Sequence, residues 1–170
     1  MNPFCQLAKN AVFAFIKEGK IIKANKNLPN DFNAKAGVFV SIFNKKDLRG
    51  CVGTFLPTQK NIAEEIISSA VSACQDTRFI PLQEKELPFL SFEVYILDRP
   101  EMIKDIEELN PKKYGILVQS SNKSGLLLPD LEGINSIDQQ IEIAARKAGI
   151  DLKNEEIAIY KFLAKKYVSD

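Results

Sequence analysis

The chain has 170 residues, a hydrophobic fraction of 45%, a charged fraction of 26% and a formal net charge of +1. These values are typical of one globular domain or two small ones, and they exclude a disordered or fibrous protein. The sequence contains no histidine, which excludes nucleophiles activated by histidine and metal sites that need an imidazole ligand.

The three cysteines, Cys5, Cys51 and Cys74, are odd in number and form no C-x-x-C pair. This pattern predicts neither a disulfide framework nor a zinc site, and it favours a reducing compartment. The N-terminus lacks a signal-peptide pattern, and no uncharged apolar run approaches the ~18 residues needed to span a bilayer. We therefore expect a cytoplasmic protein without a membrane partner, and we expect no metal or cofactor.

Hydrophobic periodicity and turn residues predict the elements of the first half of the chain. In chain order these are a helix at 2–19 ending at Gly19, a loop at 20–35, strands at 37–43 and 48–55 joined by a turn, and a helix that Thr58 or Asn61 caps and that runs to about residue 75. The alternation of apolar and polar residues then predicts a strand at 90–97.

The second half is predicted to contain another hairpin and another helix. Its elements are a short helical turn at 104–109, strands at 114–119 and 125–128, and a helix that Ser136 and Gln139 open as a capping box and that ends before Gly149. Residues 156–167 suit either a strand or a helix, and we predict a strand. Together these elements predict an α+β fold with antiparallel sheets and flanking helices.

The two hairpins also resemble each other in sequence. Residues 37–40 (GVFV) are similar to residues 115–118 (GILV), and each hairpin precedes a capped helix. We therefore predict either one domain of residues 1–170 or two intimately packed subdomains with approximate repeats at 37–75 and 114–149. The alternative is that hairpin and helix recur by chance. If the duplication is real, only the first copy carries Leu48-Arg49-Gly50-Cys51, which marks a place where function was added.

The strand at 48–55 carries the candidate site. Alternation places Arg49 and Cys51 on one face, where a guanidinium would favour the thiolate. Gly50 and Gly53 lack side chains, so a ligand or another backbone can approach closely. The alternative is structural: Cys51 is a buried small hydrophobe, the glycines mark bulges, and Arg49 pairs with Glu93.

Arginine is scarce, because only four of the 23 basic residues are arginines. Where this chain does use arginine, we therefore expect a need for the planar guanidinium and its paired hydrogen bonds rather than for charge alone. This argument points to Arg49 and Arg78. We predict that one of them forms a salt bridge with Glu93 and so joins the strand at 48–55 to the strand at 90–97. Lysine clusters at 20–26, 112–113 and 165–166 lack interleaved aromatic residues, so a nucleic-acid partner is not expected.

Residues 48–55 (LRGCVGTF) closely resemble the signature of the AMMECR-one domain family. The resemblance covers nearly the whole chain through residues 37–40, 76–82 (DTRFIPL), 90–97, 114–118 (YGILV) and 125–129 (GLLLP). It implies a two-part α+β fold with antiparallel sheet and no established activity. The size of the chain resembles that of protein A of the AmmeMemoRadiSam system, whose family is associated with Memo-like and radical-SAM proteins.

Two functional hypotheses follow from these observations. The preferred one is an accessory or binding protein in which Arg49, Gly50, Gly53, Arg78 and Glu93 line a cleft, and which acts with Memo-like and radical-SAM partners. The alternative is a cysteine-dependent enzyme in which Cys51 is the catalytic nucleophile.

Overall fold

Two four-stranded sheets and three α-helices make up the part of the chain that the computed structural model describes, residues 1–25 and 27–169. Lys26, the last lysine of the cluster at 20–26, lies outside the described residues. The chain divides into unit 1, residues 1–97 with 165–169, and unit 2, residues 98–164. The predicted α+β class with antiparallel sheets is confirmed.

The helices and strands have the following bounds. In chain order they are α1 (Pro3–Glu18), β1 (Gly37–Asn44), β2 (Asp47–Thr54), α2 (Ile62–Cys74), β3 (Leu90–Leu97), β4 (Glu101–Met102), β5 (Gly115–Ser120), β6 (Lys123–Leu127), α3 (Ile137–Ala148), β7 (Ala158–Phe162) and β8 (Ala164–Val168). Three short 3₁₀ helices lie at Asn30–Phe32, Glu84–Phe89 and Ile106–Glu108.

Three helix ends follow the predicted capping chemistry. Gly19 ends α1 in the left-handed conformation at φ 65°, and at the start of the same helix the Asn2 side chain accepts a hydrogen bond that was not predicted. Of the two caps considered for α2, Asn61 is the one that accepts a backbone N–H. Ser136 opens α3 with the predicted capping box. These ends depend on neighbouring residues, which explains why sequence alone located them.

The sheet of unit 1 has the strand order β2-β1-β3-β8. Alternate residues of β1 and β3 point into one core with α1 and α2, and this core includes Val38, Val40, Ile42, Phe92 and Val94. On the opposite face, Ser41 of β1 lies directly across from Cys51 of β2 on one side and from Glu93 of β3 on the other.

A β-bulge interrupts the pairing of β2 with β1. Ile42 lies opposite Gly50 while Phe43 lies opposite Leu48, so Arg49 between them has no partner in the register. A bulge adds one residue to one strand and redirects its side chain. The simple alternation that placed Arg49 beside Cys51 therefore does not hold at this point of β2.

Unit 2 contains a second sheet, with the order β4-β7-β5-β6, and helix α3. Each unit thus has a hairpin followed by a helix, and in each a strand glycine lies against the helix backbone. A Cβ on Gly50 would collide with the carbonyl of Ala73, and a Cβ on Gly125 would collide with that of Ala144. The internal duplication itself stays a prediction, because a shared hairpin and helix also arise without common descent.

The ambiguous segment at 156–167 is mostly extended, as predicted, but it forms two strands rather than one. β7 pairs with β4 and β5, whereas β8 belongs to the sheet of unit 1. Leu163 separates them, so the alternating pattern crosses from one sheet to the other. Within residues 1–25 and 27–169, no helix has the length and apolar character needed to cross a membrane.

Candidate functional site

Arg49 forms a bidentate ion pair with Glu86. Its Nε donates to Oε1 at 2.9 Å and its Nη2 donates to Oε2 at 3.2 Å, while Nη2 also donates to the carbonyl of Ile80 at 3.1 Å. Both side chains are mostly buried, with 17% and 16% of their surfaces exposed. The bulge at Arg49 turns the guanidinium toward the segment after α2, so this arginine joins β2 to that segment.

Glu86 is held by further donors. The side-chain amide of Asn44 donates to its Oε1 at 3.2 Å, and the backbone N–H of Gln83 donates to its Oε2 at 3.0 Å. The pKa of Glu86 falls to about 2, mainly because the Arg49 guanidinium donates hydrogen bonds to it. The two other donors and the positive charge of Arg49 lower it further. The carboxylate is therefore ionised at neutral pH and positions Arg49.

Asp76 and Arg78 together bond the backbone of Cys51. The Cys51 N–H donates to Asp76 Oδ2 at 3.0 Å, and Arg78 Nη2 donates to the Cys51 carbonyl at 3.0 Å. Arg78 also donates from Nε to Asp76 Oδ1 at 3.0 Å and from Nη2 to Oδ2 at 2.6 Å. The two side chains thus satisfy the outer edge of β2 in the way that a further strand would.

The Arg78 guanidinium is the main reason that the pKa of Asp76 falls to about 2. Only 6% of the Asp76 side chain is exposed, whereas 60% of the Arg78 side chain is exposed. In this part of the site, the buried Asp76 carboxylate therefore holds the accessible Arg78 guanidinium.

Residue Cys51 is partly exposed, and the Ser41 hydroxyl donates to its sulfur at 3.1 Å. A hydroxyl that donates in this bond is not a base that would remove the thiol proton. The other cysteines, Cys5 and Cys74, are buried, and burial raises the pKa of Cys74 to about 12.

The glycines of the signature make room for the protein's own backbone. Gly50 faces Ala73 of α2, and a Cβ on Gly53 would collide with the carbonyl of Val38 and the ring of Phe39. Both glycines therefore allow approach by another part of the backbone, and the β-bulge that was the alternative explanation lies at Arg49, next to Gly50.

The predicted salt bridge to Glu93 is wrong. Glu93 pairs with Lys166 of β8 at 2.7 Å and accepts a hydrogen bond from the Tyr95 hydroxyl at 3.1 Å. The cause is the strand order, because β1 lies between β2 and β3 and keeps them from being neighbours. Glu93 does share the Cys51 face of the sheet through Ser41.

Sequence reasoning missed Asp76, Glu86, Ser41 and Asn44 as members of this site. Asp76 precedes Arg78 by two residues, and such an Asx-type turn was the available signal. Glu86 was detectable only as a partner of Gln83 in the capping box of a 3₁₀ helix. Among the described residues no group of three or more Asp, Glu, Cys or His side chains could hold a metal ion.

The chain is similar to proteins of several bacteria and archaea. The AMMECR1 family model matches residues 5–167. A Thermotoga maritima protein is 41% identical, covering 98% of this chain and 97% of its own. A Clostridium acetobutylicum protein is also 41% identical over 98% of this chain, but the match spans 36% of that longer protein.

The fold is similar to a solved structure as well. The crystal structure of an uncharacterised Pyrococcus horikoshii protein has a TM-score of 0.90 at 28% identity, covering 98% of this chain and 90% of that one. The family match includes the LRGCVGTF strand and every residue of the site described above. The chain therefore belongs to the AMMECR1 family.

Proposed function

We propose that the chain is an accessory protein that binds a protein partner through the surface around β2, without covalent chemistry at Cys51. The observation that carries this proposal is that the polar side chains of the site bond one another. Arg49 is paired with Glu86, and Arg78 with Asp76. Such pairs stabilise a surface in one arrangement, which suits recognition more than turnover.

Exposed apolar side chains flank these pairs. Ile80, whose carbonyl Arg49 holds, has 76% of its surface exposed, and Phe89 at the end of the same 3₁₀ helix as Glu86 has 59% exposed. Leu48 next to Arg49 is 36% exposed. Protein interfaces are often composed in this way, with apolar residues around an arginine that is held in a mostly buried ion pair.

The relatives support a role beside other proteins. In the Clostridium acetobutylicum relative, the segment similar to this chain makes up about a third of a longer polypeptide. The family resemblance names Memo-like and radical-SAM proteins as partner classes, and the cysteine pattern favours a cytoplasmic setting. No observation favours the cysteine-enzyme alternative.

The test is co-expression of the tagged chain with the Memo-like and radical-SAM proteins of its own source, followed by co-purification. We expect one of them to be retained at a fixed ratio by the wild type and by Cys51→Ser. Ile80→Glu should abolish retention, because it places a charge in the apolar part of the surface. Ile106→Glu is the matched control, since Ile106 is also an exposed isoleucine but belongs to unit 2.

Three results contradict the proposal. Retention of neither partner by the wild type would reject it, and so would equal retention by Ile80→Glu. Loss of retention in Cys51→Ser with an unchanged melting temperature would instead support chemistry at the thiol.

A further inference from the structure

Arg78 is anchored along one edge of its guanidinium. Nε and Nη2 donate to the two oxygens of Asp76, and Nη2 also donates to the Cys51 carbonyl. These three bonds join one rigid group to a nearly buried carboxylate and to a strand. The orientation of the guanidinium is therefore fixed before any ligand arrives.

The opposite edge of the same group is open. No hydrogen bond within residues 1–25 and 27–169 uses Nη1, and 60% of the side chain is exposed. The Phe79 ring lies 5.4 Å from Arg78 Cζ and supports one face of the guanidinium. Two N–H groups of Nη1 thus point away from the anchored edge.

The two N–H groups of Nη1 can each donate a charge-assisted hydrogen bond to an oxyanion. Asp76 already orders the long Arg78 side chain. Binding therefore costs less conformational entropy, which increases the affinity for a ligand. Asp76 also neutralises one unit of charge, so the surface favours a ligand of low charge over a polyanion.

The open edge belongs to the guanidinium that bonds the backbone of Cys51. Arg78 holds the carbonyl of that residue at 3.0 Å. The pKa of Arg78 is raised first by the hydrogen bond to Asp76 and, to a smaller extent, by the charge that a Cys51 thiolate would carry. A ligand on Nη1 would therefore bind near residue Cys51, and the alkylation rate of its thiol can report on that ligand.

We propose that Arg78, positioned by Asp76, binds an oxyanion, either a carboxylate or a phosphate group, beside Cys51. This inference rests on the proposed function because the anion site belongs to the same surface of unit 1, and it identifies one chemical group that the partner or its ligand presents.

The test compares alkylation of Cys51 by iodoacetate and by iodoacetamide at one pH, followed by mass spectrometry. In both reactions the thiolate sulfur displaces iodide and forms a new S–C bond, but only iodoacetate carries a carboxylate. The rate ratio of iodoacetate to iodoacetamide should exceed that of a free cysteine derivative by about fivefold. Arg78→Gln should abolish the excess, whereas the exposed Arg146→Gln in unit 2 should keep it.

One further variant separates the anchored guanidinium from the charge. Arg78→Lys keeps the charge but loses the planar group that Asp76 orients and its Nη1 donors, so a smaller excess is expected. Acetate and inorganic phosphate are then added as competitors: stronger protection by acetate assigns a carboxylate ligand, and stronger protection by phosphate assigns a phosphoryl group.

A second measurement avoids the thiol altogether. The Nε–Hε NMR signal of Arg78 is followed while acetate or phosphate is added to the wild type and to Cys51→Ser. A saturable shift in both proteins supports the inference. A linear drift in both titrations, or an alkylation ratio that Arg78→Gln leaves unchanged, overturns it.

The inference and the proposed function fail separately. Partner retention that depends on Ile80, without anion binding at Arg78, leaves the function and rejects the anion site. Anion binding without any retained partner rejects the function.

Discussion

Asp76 and Glu86 determine how the two arginines of the site are held. Each carboxylate is mostly buried, and the hydrogen bonds from Arg78 and Arg49 respectively lower its pKa to about 2. The ordinary values for these residue types are 3.8 and 4.5. Folding therefore stabilises the ionised form of each carboxyl group relative to its protonated form.

These shifts predict how stability depends on pH. A carboxylate whose pKa is lowered by folding contributes stability above its unfolded pKa and loses it as pH falls through its folded pKa. Asp76 and Glu86 should each contribute on the order of 2 kcal/mol at neutral pH. Urea midpoints measured from about pH 5 down to about pH 2 should fall steadily.

The control for this prediction is a set of single variants. Asp76→Asn and Glu86→Gln should each lower stability at neutral pH and flatten the acid dependence, whereas Glu132→Gln at an exposed position should do neither. An acid dependence equal in all four proteins would contradict the assignment.

Cys51 gives a second prediction at this scale. Ser41 is buried, with 4% of its surface exposed, and its hydroxyl donates to the Cys51 sulfur. Cys51→Ser supplies an oxygen acceptor, so the melting temperature should barely change. Cys51→Ala leaves the hydroxyl without that acceptor, which should cost about 1 kcal/mol, or roughly 2 to 4 °C. Equal melting temperatures for Cys51→Ala and the wild type would show that this bond contributes nothing.

At the scale of elements, Glu65 of α2 organises the loop that follows β2. The residue is 1% exposed, and its two oxygens accept four hydrogen bonds, from the backbone and hydroxyl of Thr58, the hydroxyl of Thr54 and the backbone of Gln59. A buried carboxylate is stable only when such donors surround it. Glu65 therefore couples the end of the signature strand to the helix behind it.

We predict that Glu65→Gln destabilises the protein by at least ~2 kcal/mol. The amide places an NH₂ group against donors, so at least one buried N–H or O–H loses its acceptor. Chemical denaturation measures the change. The neighbouring Glu64→Gln is the matched control, because Glu64 accepts a longer bond of 3.3 Å from the Ala24 N–H, and its cost should stay below ~1 kcal/mol. Equal costs for the two variants would contradict the role of Glu65.

For the molecule as a whole, the end of the chain completes the sheet of unit 1. β8 lies next to β3, the Phe92 N–H donates to the Ser169 hydroxyl at 2.7 Å, and the Ser169 N–H donates to the Phe92 carbonyl at 2.9 Å. Tyr167 packs on Phe4 of α1 at 4.7 Å between ring centroids. Unit 1 is therefore built from both ends of the chain.

Truncation after Ala164 should destabilise unit 1 more than unit 2. The truncated chain exposes the edge of β3 and removes the Lys166 partner of Glu93. Hydrogen exchange measured by mass spectrometry should show faster exchange in β3 and α1, with little change in β5. Ser169→Ala provides a milder variant that should accelerate exchange near Phe92 alone. Uniform acceleration in both units would contradict this division.

The residues of the candidate site were only partly predictable. Arg49, Cys51 and Arg78 stood out through the signature strand and the scarcity of arginine, and the structure brings all three together around β2. Their acidic partners did not stand out. Glu86 lies 37 residues from Arg49 in a stretch without periodicity, and the bulge that directs Arg49 toward it arises from the pairing of two strands.

The sequence by itself determined the helices, the two hairpins and the family, because capping, turns and hydrophobic periodicity act between residues a few positions apart. Only the tertiary structure decided that β1 separates β2 from β3, that residues 156–167 divide at Leu163 between two sheets, and which acid holds each arginine. Strand order and ion pairing depend on contacts between residues distant in the chain, such as the 25 positions that separate Cys51 from Asp76. Patterns among neighbouring residues do not specify such contacts. The packing of the whole chain therefore selects among the arrangements that those local patterns allow.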